Sequence, residues 1–171
     1  MHPSSILNMK KAVSLIDLGD DLTILDVGGR DIGYQDRSYR SAFSDKSKHY
    51  FTADIAQGKG VTHVMPGPYT LPFQENYFDL VVSGQTLEHV YNPFRLVNEM
   101  KRVLKTKGII IIIVPSAGPR HDNPDCWRFM DDSFIGIAED CDLEILHDWV
   151  DRTPYQDRSK QWADHVFVGK K

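Results

Sequence analysis

Leu22-Thr-Ile-Leu-Asp-Val-Gly-Gly-Arg30 is the stretch on which the fold turns. Leu22 to Val27 is an apolar, β-branched run that stops abruptly at Gly28-Gly29, the pattern of a buried strand followed by a tight turn. Before it, Ile6, Met9, Val13 and Ile16 recur at spacings of three and four. That spacing predicts an amphipathic helix over 4–18, with Ser4 or Ser5 as N-cap and the 1–20 segment packed on the rest of the chain. After it, the polar stretch 30–47 carries Asp36, Tyr39, Arg40 and Phe43 and predicts a short helix. Two short strands follow over 49–55 and 61–65, and the five residues between them leave no room for a helix.

Further along, 77–83 predicts a strand and 92–105 a helix striped by Leu96, Met100, Val103 and Leu104. The most hydrophobic strand, 108–114, belongs near the centre of a sheet covered on both faces and ends at Pro115. A helix over 131–140 precedes two strands over 143–150 and 162–168, which look like an antiparallel pair. Strands alternating with helices through the first two thirds predict an α/β fold. Its sheet is mostly parallel, with ligands held beyond the carboxyl ends of the strands.

A length of 171 residues fits a single domain, 1–171, with ample core. Lys and Arg number 20 against 24 Asp and Glu, and 41% hydrophobic with 26% charged residues excludes disordered, collagenous and coiled-coil chains. A net charge of -4 lacks the positive field that phosphate-backbone binding requires, so nucleic acid is not an expected partner. The longest aliphatic run, 109–114, is far short of the roughly 20 residues that span a bilayer, so no membrane association is expected. Cys126 and Cys141 form neither a disulfide framework nor a metal knuckle, and no charged-then-apolar leader pattern opens the chain. The expected location is the cytoplasm.

Three features carry chemistry. Glycine at 28 and 29 lets the backbone approach a ligand, and Asp26 at the strand end can accept hydrogen bonds from ligand amines or from the turn itself; a plain glycine-capped turn reads equally well. Asp54 closes the second strand 26 positions beyond Gly28, where a carboxylate can hold two vicinal ribose hydroxyls or simply cap a loop. The third is the ordered series Leu71-Pro-Phe, Phe78-Asp-Leu-Val-Val-Ser-Gly-Gln-Thr-Leu-Glu-His89, Asn92-Pro-Phe, Arg102-Val-Leu-Lys105 and Gly108.

On these motifs, clearly over 22–115, the chain resembles the class I S-adenosylmethionine-dependent methyltransferases, specifically the type 11 group. The resemblance implies a Rossmann-like seven-stranded sheet with S-adenosyl-L-methionine as cofactor. It places Asp26, Gly28, Gly29 and Arg30 around the methionine part and Asp54 on the ribose. It also sets Met65 to Tyr69 beside the adenine and Ser83, Gly84 and Gln85 at the methionine end. Two departures stand out: Arg30 replaces the second glycine of the family's Gly-x-Gly, and no acid occurs between Met65 and Thr70.

Methyl transfer is an in-line displacement that needs an aligned acceptor and, for a hydroxyl, a base. His89 follows the fourth strand and is a candidate base or a turn-capping residue. Pro115 to Phe129 should overhang the same cleft, with His121 a second candidate base and Asp122, Trp127 and Arg128 suited to a sugar or polar small molecule. The loop looks like the branch associated with bacterial glycan modification. The alternative there is packing of Trp127 and Phe129 under the 131–140 helix with Arg128 paired to an acid. His121, Asp122 and Asp125 are weak as a divalent-metal set, and no metal is expected. The expected activity is O-methylation of a sugar or similar small or glycan acceptor, in a cleft that a larger carrier or a homodimer partner could complete. The rival is a methyltransferase-like module, with or without cofactor, that serves another protein. Nicotinamide enzymes are disfavoured by the missing second glycine and the lack of a Tyr-x-x-x-Lys pair, DNA amino-methyltransferases by Ser83-Gly-Gln-Thr86.

Overall fold

Ile110 to Ile113 are all fully buried, which requires cover on both faces of the strand that carries them. The computed structural model describes residues 2–31, 38–43 and 46–171. Its elements run α1 (Pro3–Ser14), β1 (Leu22–Val27), β2 (Ser47–Asp54), β3 (His63–Val64), β4 (Phe78–Gly84), α2 (Pro93–Val103), β5 (Leu104–Pro115), α3 (Ser133–Asp140), β6 (Glu144–Val150) and β7 (Asp164–Lys170). Seven strands form one sheet in the order β3-β2-β1-β4-β5-β7-β6. β1 to β5 pair in parallel and β7 runs antiparallel to both β5 and β6.

Side chains alternate across the sheet, so each strand feeds two cores. Ile110, Ile112 and Phe167 pack with Leu96 and Met100 of α2 and Phe134 of α3. Ile111, Ile113 and Val166 pack on the other face with Met9 and Ala12 of α1 and with Tyr39. α2 starts on Asn92, whose side-chain oxygen accepts from Arg95 N at 3.1 Å, followed by Pro93 in the first turn. Near its end Glu99 accepts from Leu71 N at 2.8 Å, and Arg102 donates to the Leu71 and Phe73 carbonyls. These contacts give the Leu71-Pro-Phe segment its place.

Several boundaries differ from the sequence expectation. α1 begins on His2 with Pro3 in its first turn, so neither Ser4 nor Ser5 is the N-cap, and it ends at Ser14 rather than 18. Of the predicted helix over 30–47, residues 32–37, Asp36 among them, and 44–45 lie outside the described residues; within the described ones a 3-10 turn forms at Tyr39–Ala42. β5 begins at Leu104, four residues earlier than expected, because Leu104 already pairs with Phe78 before the register shifts. The C-terminal strand pair is antiparallel, as its pattern predicts.

The serines displaced from the cap have another task. Ser4, Ser5 and Asn8 are buried on the sheet side of α1. Ser4 Oγ donates to Asp164 Oδ2 at 2.9 Å, Asn8 Nδ2 to the same oxygen at 3.2 Å, and Gln85 Nε2 to Asp164 Oδ1 at 3.0 Å. Asp164, itself buried at the start of β7, therefore ties α1 to the end of β4. Asp164→Ala would leave three donors without this acceptor and should cost at least about 2 kcal/mol of stability in urea unfolding. Glu144→Gln, at an exposed ion pair with Lys170, should leave the midpoint unchanged.

Candidate functional site

β1 has β2 on one side and β4 on the other, so the strand order reverses there and a crevice opens beyond their carboxyl ends. The turn after β1 is held by Gly28, whose φ of 78° favours glycine and whose N–H donates to Ala53 O at 2.8 Å. A Cβ at Gly28 would lie 2.1 Å from Thr86 Oγ1. The missing side chain thus lets the segment after β4 close against the turn. Ser83 Oγ donates to Val27 O at 2.8 Å, and Gln85, at a φ of 56°, turns the chain toward Thr86.

Two acids sit at this crevice. Asp26 is buried; its Oδ2 accepts from Tyr50 Oη at 2.9 Å, while Oδ1 has no partner among the described residues. Burial, augmented by the neighbouring Asp54 charge, pushes its carboxyl up to about 7, despite the Tyr50 hydrogen bond. Gly29 backs the same carboxyl, since a Cβ there would meet Asp26 Cγ at 2.6 Å. Asp54, at the tip of β2, accepts from Ala56 N at 3.0 Å and Arg30 N at 3.3 Å. The Arg30 side chain lies across it, Nε 3.5 Å from Oδ1, with its stem over Gly58. Arg30, which replaces the expected glycine, is therefore engaged with the acid expected to hold the ribose.

A second group forms one turn beyond Thr86, where the 3-10 turn Leu87–His89 meets the segment after β5. Cys126 N donates to Glu88 O at 2.7 Å, His89 Nδ1 donates to Pro124 O at 2.7 Å, and Trp127 Nε1 donates to Val90 O at 2.9 Å. The rings of His89 and His121 meet edge to face at 4.9 Å, and His121 lies 4.7 Å from Trp162, on whose ring His2 stacks at 5.9 Å. Glu88 is fully buried, neither carboxylate oxygen has a hydrogen-bond partner among the described residues, and burial pushes its carboxyl up to about 8. His121 is held below the usual histidine range, chiefly by burial, and so keeps an unprotonated ring nitrogen near neutral pH.

The two expected histidines thus come together. Arg128 is engaged within its own loop: it grips both oxygens of Asp125 at 2.7 and 2.8 Å and donates to the Gly118, Pro119 and Trp127 carbonyls. That pairing holds the Asp125 carboxyl well below the usual carboxylate range. Trp127 keeps an exposed ring, and Asp122 is exposed at a φ of 53°. Phe129 stacks on Phe134 of α3, as the packing alternative had it.

Met65 is buried behind Asp54, its N–H donating to that residue's carbonyl at 2.8 Å. Tyr69 is drawn to the start of α2, accepting from Asn92 N at 3.0 Å beneath the Arg95 guanidinium. Ser83 and Gln85 direct their side chains inward, to Val27 and Asp164, and Gly84 makes room for Tyr39. These three can reach a ligand by backbone alone. Sequence reasoning assigned no role to Tyr50, Thr86, Trp162 and Glu88, although Thr86 and Glu88 lay inside a motif already quoted.

Residues 39–112 match a family model described as a methyltransferase domain. An uncharacterized methyltransferase of Mycolicibacterium gilvum is 34% identical over 103 residues, covering 54% of this chain and 38% of that protein. The chain spans well under half the length of the first curated relatives it matches. A SAM-dependent methyltransferase from Aquifex aeolicus superposes with a TM-score of 0.68 at 17% identity, covering 99% of this chain and 93% of that one. A complex of the Haloferax volcanii Trm112 methyltransferase activator with a methyltransferase contains a chain that superposes at a TM-score of 0.72 and 15% identity, covering 98% and 90%. These structural likenesses concern the fold.

The Asp26 geometry carries a pH signature. Its carboxyl stays protonated to about pH 7 in the fold but ionises near pH 4 when unfolded, so the native state binds more protons between these values. Stability then falls as pH rises through that window and levels above it. Asp26→Asn removes the titration; its stability relative to the parent should rise by on the order of 2 kcal/mol between pH 5 and pH 8 in paired unfolding curves. An equal difference at both pH values would contradict the assignment.

Proposed function

We propose that the chain is a class I S-adenosylmethionine-dependent methyltransferase that binds S-adenosylmethionine at the β1–β4 crevice and catalyses methyl transfer from it. The observation that carries this reading is the pair Asp26 and Asp54 at the carboxyl ends of β1 and β2, set around the Gly28–Gly29 turn. The site residues fit the group: Asp26 Oδ1 is a buried acceptor without a partner, suited to a ligand ammonium, and Asp54 offers a carboxylate to two ribose hydroxyls. When bound, the cofactor supplies a methyl group on a sulfonium, open to in-line attack. Met65 and the backbone through Tyr69 would border the adenine, and the Ser83 to Gln85 backbone the methionine end.

The acceptor enters from the other side of Thr86, where the rings of His89, His121 and Trp162 meet and Trp127, tied to Val90 O, keeps an exposed ring. Aromatic faces beside imidazoles suit a sugar or another small polar molecule, and a hydroxyl acceptor has a proton to lose. The histidine pair lies where that proton must leave. The reading is therefore O-methylation of a sugar or similar polar acceptor, with His89 and His121 promoting proton loss and Asp122 and Trp127 touching the acceptor.

One observation favours the rival module. Arg30 occupies the Asp54 carboxylate, and a ribose must displace that guanidinium or share the acid with it. Asp54→Asn should weaken S-adenosylhomocysteine by at least about fivefold, about 1 kcal/mol of charge-assisted hydrogen bonding, whereas Arg30→Ala should bind it as tightly or more tightly than the parent. Calorimetric titrations of the three proteins decide; unchanged affinity in Asp54→Asn would overturn the ribose assignment. His89→Ala and His121→Ala should each lower methyl transfer by at least about tenfold with cofactor affinity intact. Full turnover in both would leave positioning as the sole contribution of that end of the cleft.

A further inference from the structure

Glu88, His89 and His121 each offer one donor atom, and these atoms lie within 4.8 Å of one another. His89 Nε2 is already 3.7 Å from Glu88 Oε1, close to the roughly 3.3 Å between neighbouring donors on a tetrahedral ion with bonds of about 2.0–2.1 Å. The ring of His89 is turned that way by its other nitrogen, which donates to Pro124 O at 2.7 Å, the outer contact that metal-bound histidines regularly have. Glu88 supplies an independent observation. Its carboxylate is fully buried with neither oxygen hydrogen-bonded among the described residues, and His121 Nδ1 is buried without a hydrogen bond, 3.3 Å from Asp125 Oδ2. Buried polar groups left in this state are costly unless something binds them.

We propose that Glu88, His89 and His121 bind one divalent transition-metal ion, of zinc-like ligand preference, at the acceptor end of the crevice. Two imidazoles and a carboxylate select such an ion over magnesium, and three protein ligands leave a coordination position open for water or an acceptor hydroxyl. Asp125, held by Arg128, stands 3.3 Å from His121 Nδ1 and adds negative charge beside the site without joining the ligands. Asp122 and Asp125, which the sequence grouped with His121, are replaced by the two residues that follow β4. The role of the ion rests on the methyl-transfer reading; its binding does not. An acceptor hydroxyl on the open position would become more acidic, releasing its proton to solvent as its oxygen bonds to the methyl carbon and the carbon–sulfur bond breaks, its electron pair staying on sulfur to leave S-adenosylhomocysteine.

The test is calorimetric titration of the tag-free, chelator-stripped full chain with zinc sulfate, with no cofactor present. One equivalent should bind at micromolar or tighter affinity. His121→Asn and Glu88→Gln should each weaken it by at least tenfold, while His63→Asn, on β3 outside the cluster, should leave it unchanged. His121 is partly exposed, so His121→Asn keeps the test decisive if Glu88→Gln does not fold. Cobalt should give visible absorption bands in the parent that His121→Asn loses. No stoichiometric binding up to millimolar zinc, or equal affinity in parent and His121→Asn, would overturn the site. S-adenosylhomocysteine affinity, measured separately, reports on the methyl-transfer reading alone.

Discussion

Thr86 lies against the β1 turn only because position 28 has no side chain. A Cβ there would stand 2.1 Å from Thr86 Oγ1, closer than any van der Waals contact permits. The closure brings the end of β4 to the end of β1, and Ser83 reinforces it through Val27 O. One turn later the chain delivers Glu88 and His89 to the edge of the same crevice. The proposed cofactor and acceptor sides are thus coupled through one glycine and one threonine, at the place where the strand order reverses.

The acids around this closure meet different fates because their surroundings differ. The Asp125 side chain is enclosed but gripped by Arg128 on both oxygens, which stabilises its charge. Asp54 sits at the crevice mouth with two backbone donors and the Arg30 side chain. Asp26 and Glu88 lie deep and under-bonded, and burial raises the carboxyl of each. Groups held in this way are costly to the fold and useful to a ligand that completes them, and they lie on opposite sides of Thr86. Asp164 adds a structural link, joining α1, β7 and Gln85 beneath the site.

Much of the sheet was legible because buried strands leave a strong mark: 22–27, 77–83 and 108–114 read as apolar runs ended by glycine or proline. The antiparallel pair was read at 143–150 and 162–168 and forms at 144–150 and 164–170; only its second strand is a buried run. Helix starts were less so, since Ser4 and Ser5 look like caps to any local rule, and the Asp164 carboxylate that draws the Ser4 hydroxyl lies 160 residues away. The candidate site divides the same way. Asp26, Gly28, Asp54 and His89 sit at strand ends, which position along the chain reveals. That Arg30 crosses Asp54, that Arg128 turns inward, and that Glu88 faces His121 across a loop depend on long-range packing that no local pattern encodes.

The central claim is that the Gly28 turn with its two carboxylates holds S-adenosylmethionine. Calorimetric titration of the unmodified chain with S-adenosylmethionine tests it most directly. The account predicts one site with micromolar affinity. No heat and no saturation at millimolar ligand would contradict it, and the Arg30–Asp54 pair would then mark a site closed to its cofactor.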